Sequence, residues 1–166
     1  MNPTDLFLAV LQANKGIIYK IAHSYCQEAE DRKDLVQEII VQLWRSFNSY
    51  TGEAKYSTWI YRIALNVAIS FHRKRTRRKQ VSNPLSEEIL QLVDTNVKDD
   101  TSEDISLLQR FIAELRELDK AVMLLYLEEK SYREIGNIMG LSETNVATKI
   151  ARIKGGLKQK FSSVKK

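Results

Sequence analysis

The sequence predicts an all-α fold of two small helical domains joined by an acidic linker, and three observations carry that prediction. Apolar residues recur at steps of three and four along residues 3–79 and again from Ser106 onward, the spacing of a buried helix face. Between these runs, Asn83-Pro84 breaks the helical pattern, and Asp94–Asp104 is polar, acidic and without aromatics, as linkers are. Charge divides the chain in the same way. Residues 1–79 hold 13 Lys/Arg against 7 Asp/Glu, residues 80–106 hold one Lys against seven acids, and residues 107–166 hold 12 against 7. The expected organisation is a first domain over 1–79, a linker over 80–104 and a second domain over 105–166.

Pro3, Thr4 and Asp5 suit a helix start, because proline and acids are favoured in a first turn. Leu6, Phe7, Val10, Leu11, Ile17, Ile18, Ile21 and Ala22 carry an apolar face to about Tyr25, with Gly16 marking an expected bend. A second helix is predicted from about Asp31 to Ser46. Its face is Leu35, Val36, Ile39, Ile40, Leu43 and Trp44, while Asp34, Gln37, Glu38, Gln42 and Arg45 lie off it. Asn48–Gly52 then reads as a polar turn.

The third helix begins near Tyr56, with Ser57 or Thr58 expected to cap it. Trp59, Ile60, Ile63, Ala64, Val67, Ala68 and Phe71 form its apolar face. On another side Arg62, Asn66, Ser70, Arg73 and Arg77 share one polar stripe. Six of the seven residues from Arg73 to Lys79 are Lys or Arg, a density that repels itself unless something anionic lies alongside.

Ser86–Val93 has the spacing of a short helix inside the linker. Beyond it, Leu107, Leu108, Phe111, Ile112, Leu115 and Leu118 make one stripe, and Asp119 is expected to cap a helix built on Val122, Met123, Leu125 and Tyr126. Ser131 and Glu134 form a capping box ahead of Ile135, Ile138 and Met139, and Gly140 can end that short helix in a left-handed conformation. Ser142 caps a further helix lined by Val146, Ile150 and Ile153. Short helix, glycine turn and second helix make a helix-turn-helix, which occurs in DNA readers and in structural bundles alike. The second helix carries Thr144, Asn145, Thr148, Lys149, Arg152 and Lys154 off its apolar line. These residue types suit base edges and phosphates.

Net charge +5 favours an anionic partner, and basic blocks bind nucleic acid by releasing its condensed counterions. The lone Cys26 leaves no intramolecular disulfide framework and fits a reducing compartment. No apolar run reaches the roughly 18 residues of a membrane span, and the first residues lack a signal-peptide pattern, so a cytoplasmic location is expected. His23 and His72 are isolated, and no metal-ligand spacing or phosphate-binding glycine loop is present, so neither an enzyme nor a cofactor is expected.

Three segments together resemble one family, the bacterial sigma factors of the extracytoplasmic-function group. RKDLVQEIIVQLWR (residues 32–45) is similar to region 2.2, YSTWIYRIALNVAISFHRKRTRR to regions 2.3 and 2.4, and the segment from LRELDKAVMLLYLEEKSYREIG onward to region 4. The resemblance implies a subunit that binds core RNA polymerase, directs it to promoters and aids melting. The alternative is a helix-turn-helix regulator that binds DNA without joining polymerase.

By this resemblance Asp34, Gln37 and Glu38 face the coiled coil of the polymerase β′ subunit, and the β subunit is a further contact. Asn66 falls at the asparagine that reads the −10 element, where an amide can donate and accept at an exposed base edge. Tyr50 is implied either to stack on a flipped base or to close its loop onto the core. Trp59 is expected in the core rather than as a melting wedge. Arg62, Arg73, Lys74, Arg75, Arg77 and Arg78 are implied phosphate contacts on single-stranded promoter DNA. Thr144, Asn145, Thr148, Lys149, Arg152 and Lys154 are implied contacts in the double-stranded −35 element. Ala147 and Ala151 depart from the family pattern, and Gly155-Gly156 sets two poor helix formers where the recognition helix usually continues. The linker is implied to thread the polymerase, as a nucleic-acid mimic or a plain tether. An anti-sigma factor is the remaining implied partner.

Overall fold

The computed structural model describes residues 2–81 and 103–164, with side chains described to Arg77 in the first stretch. The central linker, with its expected helix at Ser86–Val93, lies outside the described residues. Helices α1 (Pro3–Tyr25), α2 (Ala29–Ser46) and α3 (Tyr56–Val81) form the N-terminal half, with a 3₁₀ turn at Phe47–Ser49. Helices α4 (Glu103–Ala113), α5 (Glu117–Leu127), α6 (Tyr132–Met139) and α7 (Glu143–Val164) form the C-terminal half. No strand occurs among the described residues.

Each helix end has a local cause. Asn2 caps α1, its Oδ1 accepting from the Asp5 amide at 2.8 Å, with Pro3 in the first turn. Helix α1 runs unbroken through Gly16. Helix α3 starts at Tyr56, which puts Ser57 and Thr58 inside the first turn instead of at the cap. Helix α5 likewise starts at Glu117 with Arg116 at its cap position, and Asp119 falls in its first turn rather than capping it. Its other end closes through Glu129 at φ 62, where Lys130 N–H reaches the Leu125 carbonyl at 3.1 Å and Glu129 N–H the Tyr126 carbonyl at 3.0 Å.

The predicted faces are largely the buried ones. Leu35, Ile39 and Leu43 of α2 are buried, as are Ile60, Ala64, Ala68 and Phe71 of α3, and Trp59 joins them in the core. Burying a side chain of this size contributes about 1.5–3 kcal/mol. Trp44 corrects the expectation: it is 46% exposed and only edges against the Phe7 ring at 5.0 Å. It follows Leu43 by one residue, about 100° round the helix, off the line that Leu35, Ile39 and Leu43 keep. Leu118 is exposed for the comparable reason that it sits in the first turn of α5, beyond the α4 stripe it was expected to extend.

Helix α7 passes straight through Gly155 and Gly156 to Val164. Two helical glycines cost roughly 2 kcal/mol. Beyond them Leu157 packs on the small cluster of Ile112, Met123 and Ile153, and Phe161 meets the Phe111 ring edge-on at 5.1 Å. That burial offsets the glycine cost.

The two halves share one core. Buried residues run without a break from α1–α3 into Ala121, Val122, Leu125, Ile135, Ile138, Val146 and Ile150. Helix α3 makes the junction through a second buried stripe, Tyr61, Leu65 and Ile69, each 6% exposed or less. At 100° per residue this stripe lies roughly 120° round the helix from the predicted face.

Candidate nucleic-acid interface

Helices α2 and α3 lie side by side and frame a cleft of about 630 Å³. Asp34, Gln37 and Glu38 stand exposed on its α2 wall, exposed Lys74 and half-buried Arg75 on its α3 wall. The three α2 residues are thus brought together as an acidic, amide-bearing face, because the apolar line beside them is spent on the core. Arg75 does not stand free. Its Nη2 pairs with Asp31 Oδ1 at 2.7 Å and Asp34 Oδ2 at 3.4 Å, and its guanidinium lies 5.3 Å from the Phe71 ring centre. Asp31 is buried, so this pair ties the two helices together and sets Arg75 apart from its neighbours.

Along α3, Arg62, Asn66, Ser70, Arg73 and Arg77 are all exposed, and Lys74 is exposed beside them. The sequence stripe is therefore real: an amide and a hydroxyl between cations, on the side opposite neither apolar face. Arg62 Nη2 also donates to the Asn137 carbonyl of α6 at 3.0 Å. The side chain of Arg78 lies outside the described residues. Tyr50 is half-buried, stacked on Tyr56 with ring centres 4.5 Å apart and tilted against Trp59 at 5.4 Å. Its hydroxyl donates to the Ala54 carbonyl, so in this arrangement the ring closes its loop onto the core.

The helix-turn-helix is built by α6 and α7. Ser131 Oγ accepts from Glu134 N–H at 3.1 Å, Gly140 takes φ 72, and Ser142 Oγ accepts from Asn145 N–H at 3.1 Å. Val146, Ile150 and Ile153 are buried, which turns Thr144, Asn145, Thr148 and Arg152 outward. Thr148 Oγ1 donates back to the Thr144 carbonyl at 2.9 Å. Lys149 and Arg152 converge on Asp119 Oδ1 at 3.6 and 3.5 Å. Lys154 sits apart from them, its Nζ bonded to the Tyr126 hydroxyl and 4.4 Å from that ring's centre. This hydrogen bond holds its pKa above the usual lysine value.

Four residues matter in roles that the sequence did not suggest for them. Gly136 is buried where a Cβ would run into the Leu141 carbonyl oxygen; a glycine inside a helical pattern was the available signal. Asp31 and Asp119 hold the cations just described. Lys120 is 3% exposed, and burial pushes its pKa down. Its Nζ donates to the Ser24 carbonyl at 3.3 Å and lies 4.9 Å from the Tyr25 ring centre. Nothing local in the sequence marks a lysine for burial.

Burial, with Asp31 nearby, pushes the Cys26 thiol up to about 11, away from the reactive thiolate. Among the described residues no group of three or more His, Cys, Asp or Glu could hold a metal ion, and no helix is long and apolar enough to cross a membrane. A helix-turn-helix with an outward polar face, beside a helix with an exposed cation-bearing stripe, is the arrangement of a helical DNA-binding protein.

Comparison with known proteins narrows that class. The family description Sigma-70 region 2 matches residues 10–78, and Sigma-70, region 4 matches residues 105–155. The chain is 32% identical to the ECF RNA polymerase sigma-E factor of Haemophilus influenzae over 141 residues, 79% of this chain and 75% of the relative. It is 27% identical to the ECF RNA polymerase sigma factor SigW of Bacillus subtilis over 171 residues, 95% of this chain and 89% of the relative. In fold it is similar to the sigma factor RpoE of Bartonella quintana, solved with the anti-sigma factor NepR. The TM-score is 0.66 at 20% identity, covering 94% of each chain. It is also similar to CnrH, solved with the cytosolic domain of CnrY, at TM-score 0.67 and 18% identity over 98% of this chain and 91% of that one. The chain belongs to the extracytoplasmic-function family of RNA polymerase sigma factors. Its function is to direct promoter-specific transcription by RNA polymerase.

Proposed function

We propose that this sigma factor divides its work among three stretches, 1–79 for polymerase docking and −10 reading, 80–104 as linker and 105–166 for −35 reading. It acts by binding alone and carries out no catalysis. Asp34, Gln37 and Glu38 form the docking face for the β′ coiled coil, with the β subunit a further contact. Asn66 reads an exposed base of the −10 strand, where an amide can both donate and accept. Arg62, Arg73, Lys74, Arg77 and Arg78 hold the strand's phosphates, and Arg75 serves first as the strut to Asp31. Tyr50 closes the neighbouring loop and offers its ring edge to a base. Thr144, Asn145, Thr148, Lys149 and Arg152 enter the −35 major groove, with Lys154 near phosphate. The protein works in the cytoplasm, and an anti-sigma factor restrains it.

The observation that carries this reading is the exposed stripe of α3, which sets Asn66 between Arg62 and Arg73 while both other sides of the helix are buried. A merely solvated face would be served by charges of either sign, whereas this stripe sets only cations around an amide and a hydroxyl. Asn66→Ala and Glu38→Arg test the assignment in a reconstituted system. The first should weaken discrimination at the −10 element with core binding intact, and the second should weaken core binding itself. Equal loss of both properties in both variants would mean that the two residues support the fold and contact neither partner.

A further inference from the structure

Asp119 is not spent on capping α5. That helix starts two residues earlier, at Glu117, and the Asp119 carboxylate turns to the recognition helix α7 instead. Lys149 Nζ and Arg152 Nη2 stand 3.6 and 3.5 Å from the same oxygen, Asp119 Oδ1. Positions 149 and 152 are neighbours on one helix face, so both cations are presented to one carboxylate. Their exposure differs. The Lys149 side chain is 25% exposed and that of Arg152 65%, which leaves Arg152 as the cation with room to reach DNA.

The pair is weak as a source of stability, because a long partner standing mostly in solvent gains little from such a contact. Its consequence lies in placement. A free arginine samples many rotamers and must give them up on meeting a base, whereas a held one has given them up beforehand. Asp119 takes one N–H of the Arg152 fork and leaves the other donors for a base edge. The same carboxylate offsets one of two positive charges on the outward helix, which lowers attraction to phosphates of any sequence. Both effects favour a matched base over a mismatched one.

We propose that Asp119 is a positioning residue for −35 reading. It orients Arg152 toward one base and, by offsetting the charge of Lys149 and Arg152, holds down sequence-independent binding. The proposal rests on the assignment, made above, of the outward residues of α7 to the −35 element.

The test uses the full chain with core polymerase, on a promoter fragment that the native holoenzyme selects from a random pool and on its single-base −35 variants. Arg152→Ala first locates the base pair that Arg152 reads, as the position where discrimination falls about fivefold or more. At that position Asp119→Asn should lose at least about threefold in discrimination. Affinity for unrelated DNA should hold or rise, and the salt slope should steepen by up to about 0.9. In the Arg152→Ala background the same substitution should cost no further discrimination. Asp119→Glu keeps the charge but moves it outward by one methylene, so it should restore the salt slope and not the discrimination. Glu117→Gln removes the other first-turn acid of α5, whose charge acts on Tyr25 and Lys120, and should leave both readouts native. Native discrimination in Asp119→Asn, or an equal loss in Glu117→Gln, overturns the role of Asp119. Should Asp119→Asn not fold, native discrimination in Asp119→Glu overturns it instead. No loss at any −35 position in Arg152→Ala defeats the −35 assignment of α7, and the proposal with it.

Discussion

Gly136→Ala is a one-methyl change whose sign can be worked from the structure. Gly136 is buried in α6, and an added Cβ meets the carbonyl oxygen of Leu141, part of the turn backbone that has no flexible end to move aside. The same glycine's carbonyl accepts from Gly140 N–H and from Leu141 N–H at 2.9 Å, so pushing the turn away strains the bonds that end α6. Overpacking of this kind costs about 1–3 kcal/mol, against which alanine regains about 1 kcal/mol of helix propensity. The net expectation is a loss of up to about 2 kcal/mol, or up to about 8 °C in Tm for a domain of this size. Circular dichroism at 222 nm through thermal and urea unfolding would measure it. Gly155→Ala is the internal control. It also sits in a helix, with nothing within 4 Å of its Cβ position, so it should stabilise by up to about 1 kcal/mol. If the two substitutions shift stability in the same direction, the tight approach of Leu141 to Gly136 is not what shapes this turn.

Two further predictions follow from the charged and phenolic groups. Arg75→Ala breaks the pair with buried Asp31 and should cost about 1–2 kcal/mol in urea unfolding, discounted because Arg75 is itself about a third exposed. Arg73→Ala should leave stability within about 0.5 kcal/mol and lower the salt slope of DNA binding by about 0.7–0.9. A large stability loss for Arg73→Ala would remove the distinction between strut and phosphate contact. Alkaline titration followed at 295 nm should find Tyr25 and Tyr61 ionising late among the seven tyrosines. Burial, then Glu128, pushes Tyr61 up to about 12, and burial, then Glu117, raises Tyr25 further. The unfolded chain gives up these protons near 10.0 while the folded chain keeps them, so the phenols' contribution to stability is present below pH 10 and lost as pH rises to 12 and beyond. Lys120 acts with the opposite sign, since its lowered pKa makes the folded state bind fewer protons below 10.5. All seven tyrosines titrating together near 10 would contradict the buried junction.

What the sequence disclosed and what it withheld divide along physical lines. Helix faces were legible wherever one side met one core, as with Leu35, Ile39 and Leu43, or Val146, Ile150 and Ile153. So was the turn chemistry of Ser131, Gly140 and Ser142, because caps depend on neighbours a few residues away. The second stripe of α3 was not, since Tyr61, Leu65 and Ile69 are buried by residues more than fifty positions later in the chain. Long cations were the least readable. Arg75, Lys149 and Arg152 lie where the periodicity put them, yet their heads are held by Asp31 and Asp119, which only tertiary packing brings near. Helix propensity misled at Gly155-Gly156, beyond which Leu157 packs on a small apolar cluster and Phe161 on Phe111.

Initiation by the native chain is the most direct measurement of its role. Core RNA polymerase mixed with this protein should be retained on a subset of random-pool DNA fragments and start transcripts from them. The retained fragments should share two sequence elements about 25 base pairs apart, and polymerase alone should retain none of them. Fragments selected with only one element, or selected equally well without polymerase, would contradict the account and make this chain a DNA-binding regulator in its own right.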